Sequence, residues 1–372
     1  MKFSIHKNDI LDVLAKVQGL TNRKSTMPIT QTVLIQTMDN AISISATDLE
    51  TGFEGVYTAD VLEEGAICLH SRKLFEIIRD FPSDQIRLSQ IGNQRIEIGE
   101  KNLQFHLMGM NPDDFPAIPK MTDVSYFELD SEAFRKMIDR TAYIQGASEV
   151  KLAHVLGVFM DQVTREDEIQ LRMSSTDGGR LAVCFQRFDL NKSIPLANGV
   201  LIPKKGLSEI GKFLDAPGAV ELGFKSNMLI VKKGFETLIV RLIDGEFPVF
   251  DDVIEIKDAT SVIFDRELFL LMLKRMSILS ADEYKAVIFS FQENRLRIES
   301  TNPYLGESKE DMAIRYAGEE IQEGFNPKFF IDSLNLINDE KVVLHLFGKE
   351  KPCILEGEED DSYLCVIMPM RI

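Results

Sequence analysis

The 372-residue chain predicts an α+β fold built from three repeated domains, each with two helices packed on antiparallel sheets. Three observations predict it. An alternating, strand-like run closes on a Thr-Asp or Thr-Asn pair three times, in ISISATDLE (42–50), LRMSSTDGGRLAV (171–183) and LRIESTNP (296–303). A short strand followed by an amphipathic helix opens each third. A second helix with a lysine near its start lies further along each. Self-similarity at a fixed period is the mark of a repeat architecture. Here the period, 129 and then 125 residues between the pairs, is a whole domain. The boundaries fall near residues 124 and 258, giving domains 1–124, 125–258 and 259–372.

Taken in order, the opening units run from Phe3 to Leu14, Phe127 to Ile138 and Val262 to Leu273. Their apolar positions match as Ile10, Val13, Leu14; Phe134, Met137, Ile138; and Phe269, Met272, Leu273. That i, i+3, i+4 spacing places one apolar stripe on the core. Asp130 and Asp265 suit N-caps. The second helices start near Ser71, Pro203 and Asn326, with Lys73, Lys205 and Lys328 in their first turns. Ser71 and Asn326 suit an N-cap, and Pro203 and Pro327 the first turn. Alternating strands follow, among them 86–98, 103–107, 219–231, 238–242, 285–291, 342–347 and 363–368, divided by turn signals such as Gly92-Asn93 and Gly234. The Thr-Asp pairs read as strand ends whose short polar side chains hydrogen-bond nearby backbone. Their triplication argues against a catalytic dyad.

Composition narrows the function. An apolar share of 44% fills three cores. The N-terminus, interrupted by Lys7, Asp9 and Asp12, does not read as a signal peptide, and the apolar block Leu268–Leu273 is far too short to span a bilayer. No membrane association and a cytoplasmic location are expected. Cys68, Cys184, Cys353 and Cys365 have no metal-binding spacing and read as core residues in a reducing compartment. Neither a metal nor a cofactor is expected. GLTNRKS at 19–25 fails as a phosphate loop because Arg23 stands where glycine must precede the lysine.

The formal charge of −17 speaks against nucleic acid until its distribution is considered. The six helical stretches carry 17 basic and 10 acidic residues. Helices that bury their apolar stripe turn these basic residues outward. Repeated domains arranged in an arc would then line one concave side with positive charge, a surface that binds phosphates without reading bases. The acidic pairs Asp113-Asp114 and Asp251-Asp252 and the run 358–361 sit beside turn residues and read as solvated turns, not nuclease carboxylates.

ATDLE (46–50), STDGGRLAV (175–183), IPKKG (202–206), DGEFP (244–248), GFN (324–326) and VIMPMRI (366–372) follow one another along the chain. In this order and spacing they make the sequence resemble, over its whole length, the bacterial DNA polymerase III β subunit family. The resemblance implies the DNA clamp fold: a head-to-tail homodimer whose six domains form a ring, helices facing the hole and sheets outside. It implies a processivity factor that encircles double-stranded DNA without reading its sequence. Replicative DNA polymerase, a clamp loader and other clamp-binding repair and replication proteins are the implied partners, and no catalysis is needed.

The implied partner-peptide cleft uses Val155, Thr176, Gly178, Gly179, Arg180, Leu181, Pro248, Val253, Tyr284, Asn326, Phe329, Val366, Met368, Pro369, Met370 and Arg371. Two positions depart from the family pattern: Gly179 stands where a histidine is common and Asp252 where an arginine can occur. By resemblance, Phe105 and Leu107 meet Ile278 and Leu279 of a second copy, with Arg95 or Lys101 near Glu307 or Glu310. Lys24, Arg72, Lys73, Lys204 and Lys205 are expected to face DNA. A metal-dependent nuclease or transferase would need a constellation present in one repeat only. A repeat-built protein-binding scaffold without nucleic acid stays open as the alternative.

Overall fold

The computed structural model describes residues 1–21, 26–92, 94–100, 102–119, 121–144, 153–165, 167–187, 196, 199–280 and 286–371. Lys24, Lys101 and Tyr284 lie outside the described residues.

In the first third, strands β1 (Lys2–His6), β2 (Thr32–Met38), β3 (Ala41–Thr47), β4 (Thr51–Thr58), β5 (Asp60–Glu63), β6 (Ala66–His70), β7 (Gln85–Gly92), β8 (Arg95–Glu100) and β9 (Leu103–Met108) accompany helices α1 (Lys7–Thr21) and α2 (Ser71–Arg79). The second third holds β10 (Tyr126–Asp130), α3 (Ser131–Ala142), α4 (Ala153–Leu156), β11 (Gly157–Arg165), β12 (Glu168–Thr176), β13 (Arg180–Arg187), β14 (Val200–Pro203), α5 (Lys204–Phe213), β15 (Ala219–Lys225), β16 (Met228–Lys233), β17 (Glu236–Arg241) and α6 (Asp251–Ile254). The last third holds β18 (Thr260–Asp265), α7 (Arg266–Met276), β19 (Val287–Gln292), β20 (Arg295–Asn302), β21 (Gly306–Ala313), β22 (Ile321–Phe325), α8 (Pro327–Leu334), β23 (Lys341–Leu346), β24 (Cys353–Gly357) and β25 (Tyr363–Ile367). The three-domain α+β fold is as expected, with the short α4 and α6 as additions.

The chain condenses into two compact units, and the central repeat contributes to both. The first, mainly Met1–Arg135 and Ile202–Ile243, holds a five-stranded sheet ordered β5-β1-β7-β8-β9 and an eight-stranded sheet ordered β10-β15-β16-β17-β4-β3-β2-β6. There α1 buries Ile10, Val13, Leu14, Val17 and Leu20, the predicted stripe continued by two turns. Full burial of each such side chain stabilises by about 1.5–3 kcal/mol. The second unit, mainly Lys136–Lys192 and Asp244–Ile372, holds the eight-stranded sheet β14-β11-β12-β13-β25-β24-β23-β18 and the four-stranded sheet β21-β20-β19-β22. Phe264, Phe269, Phe289, Phe325 and Phe330 stack and edge-pack at its centre. The large sheets run across the repeats: β4 pairs with β17 from Thr51↔Val240 to Gly55↔Glu236, and β13 pairs with β25 from Arg180↔Ile367 to Cys184↔Tyr363.

The triplicated turns form as the side chains dictate. Thr47 Oγ1 donates to the Thr51 carbonyl at 2.9 Å while Asp48 Oδ1 accepts from the Glu50 and Thr51 amides. Thr176 donates to the Arg180 carbonyl at 2.7 Å and Asp177 Oδ1 accepts from the Gly179 and Arg180 amides. Asn302 Oδ1 accepts from the Tyr304 and Leu305 amides. Asp130 and Asp265 cap their helices through the Ala133 and Leu268 amides, and Asn326 caps α8 through Lys328.

Two local expectations are corrected. Ser71 is the first residue of α2, not its cap, because its hydroxyl accepts from Gln18 on α1. Pro203 precedes α5 as a cap residue with no side-chain bond and is not in its first turn. The final strand β25 lies between β13 and β24. All four cysteines are buried and free, and burial pushes the Cys68 and Cys184 thiols up to about 11. Among the described residues no helix is long and apolar enough to cross a membrane.

Candidate partner-binding cleft

Alternation puts Leu181, Val183 and Phe185 of β13 on one face of the sheet. On the neighbouring β25 it puts Leu364 and Val366 there. With Phe250 and Ile354 they form one buried cluster, flanked by the partly buried Val163, Phe247, Ile254 and Phe347. The stripe does not end in water-loving residues. Val249 is 90% exposed, and Val253 on α6 and Met368 just past β25 are 41% and 42% exposed. An apolar stripe that continues into exposed apolar side chains is a surface suited to a partner.

The chain end is fastened here. The Met368 amide donates to the Gly179 carbonyl at 2.9 Å and the Met370 amide to the Gly324 carbonyl at 2.7 Å. The tail therefore bridges the β12–β13 turn and β22. Pro369, between them, has no amide to leave unpaired.

Arg180 plays a part that its sequence position did not reveal. Its guanidinium is buried between the rings of Phe329 and Tyr143, with centroid distances of 4.5 and 5.2 Å. It donates to Asp177 at 3.2 Å and to Asp332 at 2.8 Å. With both carboxylates engaged, Arg180 holds the turn against α8. It orients Gly179 and Phe329 and presents little of itself to an incoming chain. A side chain at 179 would meet Phe329 ring carbons at 3.0 and 3.2 Å, so the glycine lets that ring lie against the turn.

The sixteen cleft residues do not all share one surface. Leu181 and Val366 belong to the apolar cluster, Val253 lies exposed on α6 with its amide on the Phe250 carbonyl, and Met368 lies exposed two residues past Val366, while Thr176, Gly178, Gly179, Asn326, Phe329 and Met370 surround the β12–β13 turn and the start of α8. Val155 is buried, Pro248 and Arg371 are exposed, and Pro369 is half-buried. What the sequence missed is Tyr143, Asp177 and Asp332, the cage around Arg180. Only the aromatic at 143 and the acid of the Thr-Asp turn could have hinted at it.

The charged and edge positions are also placed. Arg72 and Lys73 are well exposed and share Glu76. Lys205 is half-buried with Asp48 at 2.8 Å and Glu50 at 2.6 Å, and Lys204 is half-buried. Lys16 pairs with Glu236, Arg140 with Asp360 and Arg275 with Glu310, so the unpaired charge on the helices is smaller than their formal excess. Phe105 and Leu107 lie on β9, an open edge of the five-stranded sheet. Ile278, 74% exposed, and Leu279 follow α7 close to β21, an open edge of the four-stranded sheet.

Three family models for the DNA polymerase III beta subunit match in succession: the N-terminal domain at residues 1–119, the central domain at 128–249 and the C-terminal domain at 252–371. The beta sliding clamp of Chlamydia pneumoniae is 29% identical over 374 residues, covering 100% of this chain and 99% of its own. A crystal structure of the DNA polymerase sliding clamp from Caulobacter crescentus superposes with a TM-score of 0.92 at 26% identity over 100% of both chains. The Pseudomonas aeruginosa sliding clamp, solved bound to griselimycin, superposes with 0.90 at 27% identity, again over 100% of both.

Proposed function

Because the chain belongs to the DNA polymerase III β subunit family and is a DNA sliding clamp, we propose that two copies close head to tail around duplex DNA and hold partner proteins at the stripe of Leu181, Val253, Val366 and Met368. Its partnership is with DNA and DNA polymerase; the clamp loader and other replication and repair proteins would use the same cleft. No reaction is catalysed. The ring would keep polymerase on its template by topology while each phosphate contact stays weak and screened.

The observation that carries the cleft is the apolar stripe that leaves Val249, Val253 and Met368 exposed beside a chain end fastened by its backbone. Small buried apolar anchors carry most of the energy of such docking, and methionines adapt to varied side chains. The open edges β9 and β21 support assembly, since an unpaired edge is a liability unless covered. Arg72, Lys73, Lys204 and Lys205, with Lys24, would touch phosphates loosely.

Griselimycin is a ready probe. It is expected to bind this chain and to lose at least tenfold in affinity on Leu181→Asp, measured by calorimetry, since a charge would be buried on the stripe without a partner. Equal binding by both proteins, with circular dichroism unchanged, would put the cleft elsewhere.

A further inference from the structure

A second pocket of about 730 Å³ opens in the same unit, beyond Phe250. Its floor is Phe185, Leu364 and Val163, its wall Ile254 and Ile256, and its rim carries Asp252, Glu255 and Glu356. The volume lies in the range that holds small ligands or a few side chains. Phe185 stands four residues along β13 from Leu181, about 13 Å at the rise of an extended strand. The pocket is thus the far end of the stripe whose near end forms the cleft.

The electrostatics select what enters. The two cations that line the pocket are already committed. Arg172, buried, lies 4.5 Å from the Phe250 ring centroid and is bonded to Asp161 and Asp251. Arg165 stacks on Phe185 at 4.8 Å and donates to the Asp361 carbonyl. Glu356 is paired with His345 and Glu255 with Lys257. Asp252 is exposed and forms no ion pair among the described residues. The rim is left acidic over an apolar floor, and an anionic ligand would meet repulsion there.

We propose that this pocket is a second anchor site that takes an aliphatic side chain next to an arginine or lysine from an extended partner segment. The aliphatic group would rest on Phe185 and Leu364, with the cation against Asp252. Arg172 holds the 250–252 corner down through Phe250 and Asp251, so the wall is fixed before the ligand arrives, which limits the ordering cost of binding. The assignment rests on the reading of the stripe as a partner surface, yet it can fail separately.

The test uses the full chain with methyl-labelled isoleucine and leucine, titrated with N-acetyl-Arg-Ile-amide. Saturable shifts are expected at Ile254, Ile256 and Leu364, and at least a fivefold weaker response with N-acetyl-Glu-Ile-amide. Asp252→Lys should remove the preference for the basic probe. Saturating griselimycin, which would fill the proposed cleft, should leave the titration unchanged. Absent or scattered shifts, equal response to both probes, or an unchanged preference in Asp252→Lys would overturn the assignment. Loss of griselimycin binding alone bears only on the cleft.

Discussion

Leu49 sits in the left-handed region at φ 77°, at the position that Gly178 occupies with φ 87° in the second repeat's turn. A side chain there costs about 1–2 kcal/mol, and Leu49 is exposed, so little packing offsets it. Leu49→Gly is expected to stabilise the protein by roughly 0.5–1 kcal/mol, read as a raised urea midpoint; a lowered midpoint would show that the side chain packs where the turn leaves it exposed. Asp360 makes the opposite case. Burial alone would raise its carboxyl, but Arg140 at 2.6 Å and Ser362 hold it well below the usual carboxylate range. A depressed folded-state pKa stabilises above the unfolded value, near pH 4, and that contribution is lost as pH falls toward the folded value. Asp360→Asn should therefore lose roughly 1–2 kcal/mol at pH 7, less than a fully buried pair because solvent screens the partly exposed carboxylate, and flatten the acid limb of the stability curve. Acid limbs that run parallel in the two proteins would contradict this.

Among elements, the chain end is the most informative. Removing Met368–Ile372 deletes the Met368–Gly179 and Met370–Gly324 bonds, each worth roughly 0.5–1.5 kcal/mol. It leaves β25 in place between β13 and β24. The truncated chain should fold with a slightly lower melting midpoint and should no longer bind griselimycin. Unchanged binding would remove the tail from the cleft. The helices were legible in the sequence because their stripes are local: Ile10, Val13 and Leu14 announce α1 with no knowledge of its neighbours. So were the turns, since Thr47, Asp48, Thr176 and Asp177 bond within four residues. The joins β4–β17 and β13–β25 were not, because pairing between strands that are far apart in sequence leaves no periodic trace. That is also why the sequence did not show that the compact units cut through the central repeat. The cage around Arg180 is hidden for the same reason: Tyr143, Asp177 and Asp332 converge only in the fold.

At the scale of the molecule the acidic balance of −17 and the basic helices are compatible in a clamp. In the proposed ring the helices would attract phosphates weakly, while the acidic remainder would repel DNA. Because Lys16, Arg140, Lys205 and Arg275 are committed to ion pairs, affinity for phosphates alone should be low. Retention would then come from closure of the proposed ring. The direct measurement is gel filtration of the protein loaded on nicked circular duplex, before and after one restriction cut. The account predicts co-elution with the circle in moderate salt, release on linearisation, and no retention of Leu279→Asp, which should be monomeric. Equal retention on circular and linear DNA would contradict topological holding and make this a phosphate-binding protein instead.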